Sequence, residues 1–451
     1  QHFLTRAQNV KDVLAIDIET PKVNGKREIV CVSFAFSPLQ ALVLSWKTHR
    51  GIIAQLCQSP CTMVGHNFVS VDRWWLKRYG EIDVGGELRD SMCLSHCLDP
   101  ASAHSLEFLT SRYTWEPYYK EESKGHDITL IEADMGGYYA YCGCDSCVTI
   151  ELHNILWPML EQRGMVQFYR EHYEEMYDPI LDVMLQGTNI DHPLRIQILE
   201  DLLTEAREAR DRLGVINGKP LFTLGTKRDQ EVYKALVGQY SSLLLEGKYG
   251  IDAVETARQR ISEKTVSNAQ LKMLLYDKLG LPLQTRKRKT GEETATADGV
   301  ALRKLRLQYA DRPDVREVID LALKHNRSQK LASFLYPNTF DPQDGMFRFT
   351  LKLNTEAARL SSAKAPDGFG ANSQNRPRDK RLRRVVLPDS GCIIGEGDAS
   401  QIEGRIVFLL TKDPQLIEMA RAKVGFDQHA FTAAMVFKKP IEEVGKGSHE
   451  R

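Results

Sequence analysis

The chain lacks an excess of charge of either sign, because 60 basic and 60 acidic side chains leave a formal net charge of zero over 451 residues. A nucleic-acid partner therefore has to be argued from local basic clusters rather than from global charge. No apolar run reaches the about 18 residues that suggest a membrane-spanning helix, so no span is expected. No signal peptide is recognisable, and a reducing compartment is the expected location.

Disulfide and zinc frameworks are also missing. Nine cysteines in a chain of this length do not make a disulfide scaffold. Two groups have partial zinc-ligand spacing, Cys93-x-x-His96-Cys97 and Cys142-x-Cys144-x-x-Cys147, but neither has a second pair at finger spacing. Free thiols that behave as small buried apolar groups are the favoured interpretation. The length favours about two to four domains.

One stretch near the start combines an apolar strand pattern with two carboxylates. The run Val13-Leu14-Ala15-Ile16 is followed by Asp17-Ile18-Glu19-Thr20, and side chains on a strand alternate between its faces. Asp17 and Glu19 therefore share a face, where they repel each other unless a positive charge lies between them. Hard oxygen ligands suit Mg²⁺ or Mn²⁺. The alternative is that two acids simply mark the solvent end of a strand.

Two further acidic positions follow in helical surroundings. Residues 63–67 are predicted as a strand that leads into a helix with Asp72 in its first turn, where the helix dipole favours an anion. Tyr141 and Asp145 are four residues apart within a helical pattern over residues 138–152 and share one face. A hydroxyl beside a carboxylate suits a site that holds a water next to a metal ion. Taken singly, each position also fits an ordinary helix-start or surface acid.

In this order and spacing, the pieces resemble the three exonuclease motifs of the DEDD-type 3′–5′ proofreading nucleases, tyrosine subclass. The matching residues are Asp17-x-Glu19, Asn67 to Asp72 and Tyr141-x-x-x-Asp145, and the intervening segments 90–92 and 104–109 also resemble that family. The resemblance covers the first third of the chain. It implies an RNase H-like fold in which four carboxylates hold two Mg²⁺ or Mn²⁺ ions for hydrolysis, namely Asp17, Glu19, Asp72 and Asp145.

The same resemblance assigns the remaining residues of this site. Tyr141 would orient the attacking water. Asn67 and Phe68 would contact the frayed single strand, with the Phe68 ring stacking on a base.

The middle of the chain is predicted to be mainly helical, with apolar spacing over residues 156–213 and 301–335 and a helix that begins at Asp191. The basic loop Arg286-Lys287-Arg288-Lys289 is either a solvated run or a grip on phosphates, which would make binding depend on salt. The pattern from Asn268 through Leu302 resembles the thumb of family A DNA polymerases. In that family the loop at the thumb tip holds the duplex minor groove.

The last part opens with a predicted strand over residues 347–353. The segments 355–362, 372–377 and 398–405 then resemble the palm entry of family A DNA polymerases. Between them lies a segment in which positive charges crowd together, so we expect it to bind an anionic partner. Its basic residues are Arg376, Arg378, Lys380, Arg381, Arg383 and Arg384. A second predicted strand, residues 392–394, leads to Asp398, for which a helix N-cap is the ordinary alternative.

The polymerase resemblance implies roles residue by residue. Asp398 takes the place of the first catalytic, metal-binding aspartate, while Gln401 and Glu403 would bind the nucleotide, Glu403 by crowding the sugar 2′ position. The residues assigned to DNA are Arg286, Lys287, Arg288, Lys289, Arg359, Gln374, Asn375, Arg384 and His429. Among them Arg359, Gln374 and Asn375 would read minor-groove acceptors beside the primer end.

Three departures from the family pattern stand out. Ala357-Ala358 replaces the usual Thr-Gly, and Ala399 and Gly404 replace a Tyr and a Leu. Arg451 stands where the fingers helix would begin, so we expect the remainder outside this sequence or on a second polypeptide that supplies the fingers and the rest of the palm. One carboxylate cannot hold two metal ions, so the chain as given should not polymerise alone.

The sequence therefore predicts an α/β part followed by a mainly α part: an RNase H-like exonuclease domain (1–155), a helical linker and thumb (156–340) and the first part of an α+β palm (341–451). The predicted function is a family A DNA polymerase with a 3′–5′ exonuclease. Its partners would be primer–template DNA and dNTPs, in the cytoplasm of a bacterium or of a phage-infected bacterial host. The alternatives are a stand-alone exonuclease on DNA or RNA with a polymerase-like duplex-binding module, and a scaffold with idle carboxylates.

Overall fold

A five-stranded mixed sheet forms the centre of the first part of the chain. The computed structural model describes residues 1–23, 26–117, 135–237, 251–287, 291–399, 401–421 and 427–444. The sheet has the order Gln40–Ser45, Cys31–Ser37, Val13–Glu19, Thr62–Gly65, Leu88–Asp90. Cys31–Ser37 runs antiparallel to both of its neighbours, and the last two strands run parallel to the central strand Val13–Glu19. The predicted first strand is confirmed, and two small strands, Lys22–Val23 and Lys26–Arg27, follow it.

Helices that flank this sheet account for most of the remaining secondary structure before residue 162. They are His2–Ala7, Trp46–Cys57, Asp72–Gly80, Ser91–Leu98, Leu106–Tyr113 and Met135–Gln162. Two of these helices begin with a side-chain cap, because the Asp90 carboxylate accepts the Met92 N–H and the Ser105 hydroxyl accepts the Phe108 N–H. The helix predicted around Tyr141 and Asp145 is confirmed.

One hydrophobic core continues from this sheet into later segments. It includes Leu156 and Leu160 of the long helix, and it also takes in Leu351 and Ala365. Between them it contains the buried residues Tyr169, Tyr173, Tyr177, Ile180, Leu181 and Met184. The helix Met135–Gln162 runs through residue 155 without interruption. The domain boundaries at residues 155 and 340 remain predictions.

The middle of the first unit is helical, as predicted. Its helices are Val166–Tyr169, Glu175–Gln186, His192–Asn217, Lys227–Val237, Ile251–Ser262, Asn268–Lys272, Gly299–Gln308 and Pro313–Ala332, with π-helical turns at Arg170–Glu174 and Met273–Lys278 and a 3₁₀ turn at Pro337–Thr339. The predicted cap is present, because the Asp191 carboxylate accepts the Leu194 N–H. The helices His192–Asn217 and Pro313–Ala332 pack side by side.

The prediction of a basic loop starting at Arg286 is wrong in its secondary structure. Thr285–Lys287 is a strand that pairs with Glu293–Ala295, so Arg286 and Lys287 lie in one arm of a hairpin. This pairing satisfies the backbone hydrogen bonds of both segments, and the polar sequence alone does not predict it. Arg288 and Lys289 lie outside the described residues.

The rest of the first unit is a small α+β segment. Thr350–Lys352 pairs with Ser361–Ala363, the helix Lys380–Arg384 follows, and Val386–Leu387 pairs with Asn189–Ile190. The predicted strand over residues 347–353 is therefore shorter than expected. Phe347 instead makes a separate bridge with Thr188, because the chain changes pairing partner within the apolar run.

A second unit comprises residues 388–451. Its described helices are Ile402–Leu410, Pro414–Arg421 and Gln428–Phe437, followed by a 3₁₀ turn at Ile441–Glu443. The predicted strand at residues 392–394 is wrong. Ile393 and Ile394 are 93% and 58% exposed, and no strand pairs with them in the part of the chain that the structure describes. An apolar run without a pairing partner has no reason to extend as a strand.

Among the described helices, none combines the length with the apolar composition that crossing a membrane requires.

Candidate active site

Three of the four predicted carboxylates converge at the end of the central strand. Ligand atoms of Asp17, Glu19 and Asp145 all lie within 4.8 Å of one another. The strand supplies two of them from one face, and the long helix Met135–Gln162, which packs on this strand, supplies the third. The helix is held close, because Ser33 Oγ donates to the Cys142 carbonyl at 2.7 Å. Gly143 assists, since a Cβ there would lie 3.1 Å from a Val43 methyl group.

The fourth carboxylate, Asp72, lies beside this group and, like Asp145, is deeply buried. It is 4% exposed. Burial, and then the negative charges of Asp90 and Glu19, raise the pKa of Asp72 well above its ordinary value, against hydrogen bonds from backbone N–H groups that include that of Ile18. Four acids that crowd one place, with Asp72 and Asp145 both buried, form a site that a cation would stabilise.

These residues fit a divalent metal ion of the Mg²⁺ type. Every donor is a carboxylate oxygen, the ligand type that hard cations prefer. The carboxylates converge within 4.8 Å, and burial makes it costly to keep Asp72 charged. A bound cation would offset both the mutual repulsion and the cost of burial. Among the described residues no other group of three potential ligands converges in this way.

The long helix carries two tyrosines toward the site, one of which the sequence reasoning missed. Tyr141 is half-buried, one turn before Asp145, as its spacing predicts. Burial, followed by the charge of Glu19, raises the pKa of Tyr138 to about 12. Tyr138 therefore lies near Glu19. Its spacing of three to Tyr141 and seven to Asp145 is the signal that would have found it.

A buried aspartate fixes the turn between the strand Thr62–Gly65 and the helix Asp72–Gly80. The Asp90 carboxylate accepts the backbone N–H groups of Asn67 at 3.0 Å, Phe68 at 2.7 Å and Met92 at 2.9 Å. Burial raises the pKa of Asp90 to about 6, against these hydrogen bonds. Asn67 is half-exposed in the left-handed region with φ of 57°.

The expectation that Phe68 offers an open ring to a base is wrong for this structure. The ring is 0% exposed within the hydrophobic core. It lies over Gly65, where a Cβ would come within 2.7 Å of it. The Phe68 N–H donates to the Asp90 carboxylate, and this hydrogen bond turns the residue inward. Asp90 lies 22 positions away, so local sequence patterns do not predict the contact.

The residues predicted to contact duplex DNA within the first unit lie mainly at the surface. Arg286 is 74% exposed at 3.8 Å from the Asp298 carboxylate. Lys287, Arg359, Gln374, Asn375 and Arg384 are also exposed.

The structure brings three of these surface residues together. Asn372 Oδ1 accepts both the Ser362 hydroxyl, at 2.7 Å, and the Asn375 N–H, at 3.0 Å. The Gln374 side chain donates to the Leu360 carbonyl at 2.8 Å, so the loop lies next to Arg359, just before the strand Ser361–Ala363.

Part of the basic segment at residues 376–384 is bonded to groups of the chain itself, so it needs an anionic partner less than predicted. Arg381 pairs with Asp379 and with Glu205 at 2.9 Å, and Arg327 also contacts Asp379 at 3.0 Å. Arg376 donates to the Leu382 carbonyl. Arg378, Lys380, Arg383 and Arg384 remain exposed.

In the second unit, Asp398, Glu403 and His429 are exposed and Gln401 is half-buried. Gln401, at φ of 50°, accepts the Gln428 N–H at 2.7 Å and lies 3.5 Å from the Asp427 carboxylate. Gly404 leaves room for the Gln428 side chain, because a Cβ at residue 404 would lie 1.8 Å from Gln428 Oε1. The departure from the usual Leu at this position therefore makes room for Gln428.

Two family models match the chain. A 3′–5′ exonuclease model matches residues 1–161, and a DNA polymerase family A model matches residues 246–451. DNA polymerase I of Synechocystis sp. is 28% identical over 385 residues, covering 82% of this chain and 32% of the relative. That of Pseudomonas aeruginosa is 28% identical over 463 residues, covering 96% of this chain and 44% of the relative. The chain thus spans less than half the length of these relatives.

A solved structure has a similar fold. The POL domain of Pol1 from M. smegmatis, in complex with DNA primer–template and dNTP, matches 99% of this chain and 67% of its own with a TM-score of 0.62 at 19% identity. The likeness shows the fold alone, and it confirms the predicted fold class.

Proposed function

Because the chain belongs to family A of the DNA polymerases and carries a 3′–5′ exonuclease domain, we propose that its first part removes nucleotides from DNA 3′ ends in a metal-dependent reaction. The observation that carries this proposal is the convergence of Asp17, Glu19 and Asp145 within 4.8 Å, with buried Asp72 beside them.

The four carboxylates would hold two Mg²⁺ or Mn²⁺ ions. Bound there, the ions would supply the positive charge that binds water and offsets the charge developing on the phosphate. The protein fixes the ligands: strand alternation sets Asp17 and Glu19 on one face, and the helix sets Asp145 opposite them. Tyr141 would orient the water, and Tyr138, beside Glu19, would share in this task. Asn67 would contact the single-stranded end.

The later part of the chain would bind primer–template DNA. Exposed Arg359, Gln374 and Asn375 suit the minor groove at the primer end, while Arg286, Lys287 and Arg384 suit phosphates. For nucleotide addition we propose Asp398 as a metal ligand and Gln401 and Glu403 as contacts of the dNTP. The additional ligands would come from outside the described residues, on the same or a second polypeptide.

The bacterial relatives support a place in the cytoplasm of a bacterium or of a phage-infected one.

The test is degradation of a labelled DNA hairpin with Mg²⁺ by the wild-type chain and by Asp17→Ala combined with Glu19→Ala. The expected loss is about 10³-fold, the equivalent of about 4 kcal/mol of transition-state stabilisation. Glu81→Ala combined with Asp83→Ala is the matched control, since these exposed acids have the same spacing away from the site. Undiminished cleavage by the Asp17 and Glu19 variant would refute the proposal.

A further inference from the structure

The helix that carries Asp72 is bonded at its other end to a distant part of the chain. This Asp72 helix, Asp72–Gly80, has the candidate metal ligand in its first turn and Arg78 and Tyr79 in its last turn. Arg78 donates to the Asp341 carboxylate at 2.8 Å and to Asp344 at 3.1 Å.

Two more hydrogen bonds join the same elements. The Tyr79 hydroxyl donates to the Asp367 carboxylate at 3.0 Å. The hydroxyl of Ser70, two residues before the helix, donates to the Leu351 carbonyl at 2.8 Å in a buried position. Both ends of the helix are thus attached to one stretch, residues 341–369, called here the docking segment. This stretch lies within the polymerase family match.

The docking segment is itself fixed by buried contacts. Asp341 is 2% exposed and also accepts Arg348 at 2.8 Å, and the Arg348 side chain is 5% exposed. Arg348 Nε donates to the Leu185 carbonyl at 2.9 Å. The chain packs tightly here, because a Cβ on Gly370 would lie 1.9 Å from the Arg348 carbonyl oxygen. The Asp341 carboxylate that Arg78 binds is therefore held in a fixed position.

The neighbouring residue on the same helix provides a contrast. Lys77 bonds to Asp83 at 2.6 Å, but both side chains are largely exposed, at 41% and 73%, and both belong to the nuclease part. Surface pairs of this kind contribute little. One helix thus offers a buried attachment to the docking segment and an exposed local one at adjacent positions.

We propose that the docking segment positions the Asp72 helix, so that Arg78, Tyr79 and Ser70 are positioning residues for the nuclease metal site. The inference rests on the proposed nuclease function. Its physical basis is that a short, rigid helix transmits a tilt at one end to the carboxylate at the other. Metal sites lose affinity when the residues that orient their ligands are removed.

The test compares Arg78→Ala, Arg78→Lys, Tyr79→Phe and the control Lys77→Ala in the full chain. Mn²⁺ binding without DNA is measured by calorimetry, and hairpin degradation is measured against Mg²⁺ concentration. Arg78→Ala should weaken Mn²⁺ binding by about tenfold or more and raise the Mg²⁺ concentration for half-maximal degradation similarly. Tyr79→Phe should act in the same direction to a smaller extent. Arg78→Lys should recover part of the loss, and Lys77→Ala should match the wild type.

The opposite result is equally clear. Wild-type Mn²⁺ affinity and Mg²⁺ dependence in both folded Arg78→Ala and Tyr79→Phe would overturn the inference, as would an equal effect of Lys77→Ala. If Arg78→Ala does not fold, Tyr79→Phe decides alone, because it removes a single hydroxyl. If the wild type binds Mn²⁺ through Asp17 and Glu19 without degrading DNA, the proposed function fails and the binding comparison still judges the positioning. If it shows neither, both fail.

Discussion

Glu174 carries an unfavourable charge in the folded chain, and removing that charge should stabilise it. The side chain is 18% exposed, with Oε2 at 3.8 Å from Arg170 Nε. Its Oε1 is buried without a hydrogen-bond partner among the described residues. Burial, followed by the charge of Glu87, raises the pKa of Glu174 to about 7, although Arg170 and Arg89 oppose this.

The sign of the effect follows from which state binds the proton more tightly. The pKa of Glu174 is higher in the folded chain than its ordinary value of 4.5, so its contribution to stability is complete below pH 4.5 and is lost as the pH rises through about 7. The full difference corresponds to about 3 kcal/mol. Because solvent partly screens the side chain, we expect about 1–2 kcal/mol.

Glu174→Gln should therefore raise the free energy of unfolding by about 1–2 kcal/mol at about pH 8.5 and change it little at about pH 5. Urea unfolding followed by tryptophan fluorescence suits the measurement, because Trp74 and Trp75 are buried in the hydrophobic core that also contains Tyr173. Glu175→Gln is the control: it makes the same change at the adjacent, exposed position.

Two results would contradict this reasoning. The first is a Glu174→Gln variant that is no more stable than the wild type at the higher pH. The second is a Glu174→Gln variant whose free energy of unfolding changes with pH as much as that of the wild type. Only titration of Glu174 explains a difference between the two pH dependences.

Two family departures yield further predictions. Ala358 has φ of 53°, which costs an L-residue about 1–2 kcal/mol, so Ala358→Gly should stabilise the first unit by about 0.5 kcal/mol after its own entropy cost. Ala357→Gly should not stabilise the first unit, and urea unfolding of both variants makes the comparison. Equal stabilisation by Ala357→Gly and Ala358→Gly would refute the explanation. Gly404→Leu should destabilise the second unit by about 1 kcal/mol, which is the overpacking cost less the gain in helix propensity. The loss should be seen as faster amide hydrogen exchange in Ile402–Leu410. Gly395→Ala, with open space around its Cβ position, should leave exchange unchanged, and Gln428→Ala should relieve the Gly404→Leu defect.

Local periodicity explains why most of the candidate site could be predicted. Alternation along one strand set Asp17 and Glu19 on one face, and four-residue spacing placed Tyr141 on the face of Asp145. These rules depend only on neighbours in sequence. The packing of Met135–Gln162 on the strand then brought Asp145 within 4.8 Å of both strand carboxylates.

The predictions that failed depended on partners far along the chain. Phe68 points inward because Asp90 accepts its N–H. Arg381 is neutralised partly by Glu205, 176 positions away. The strand Thr285–Lys287 exists because Glu293–Ala295 pairs with it. A single sequence shows the charge or the propensity of each residue but not the contact that overrides it.

The shared hydrophobic core makes the segments matched by the two family models depend on each other for stability. Leu351 and Ala365 of the docking segment belong to the same hydrophobic cluster as the central strand, and Arg78 bonds to Asp341 across 263 positions. Elements that share a core and buried ion pairs unfold together rather than separately. Residues 341–369 therefore belong energetically with the five-stranded sheet, although they match the polymerase family model. A cut between the two family matches would expose the Asp72 helix on its attached side.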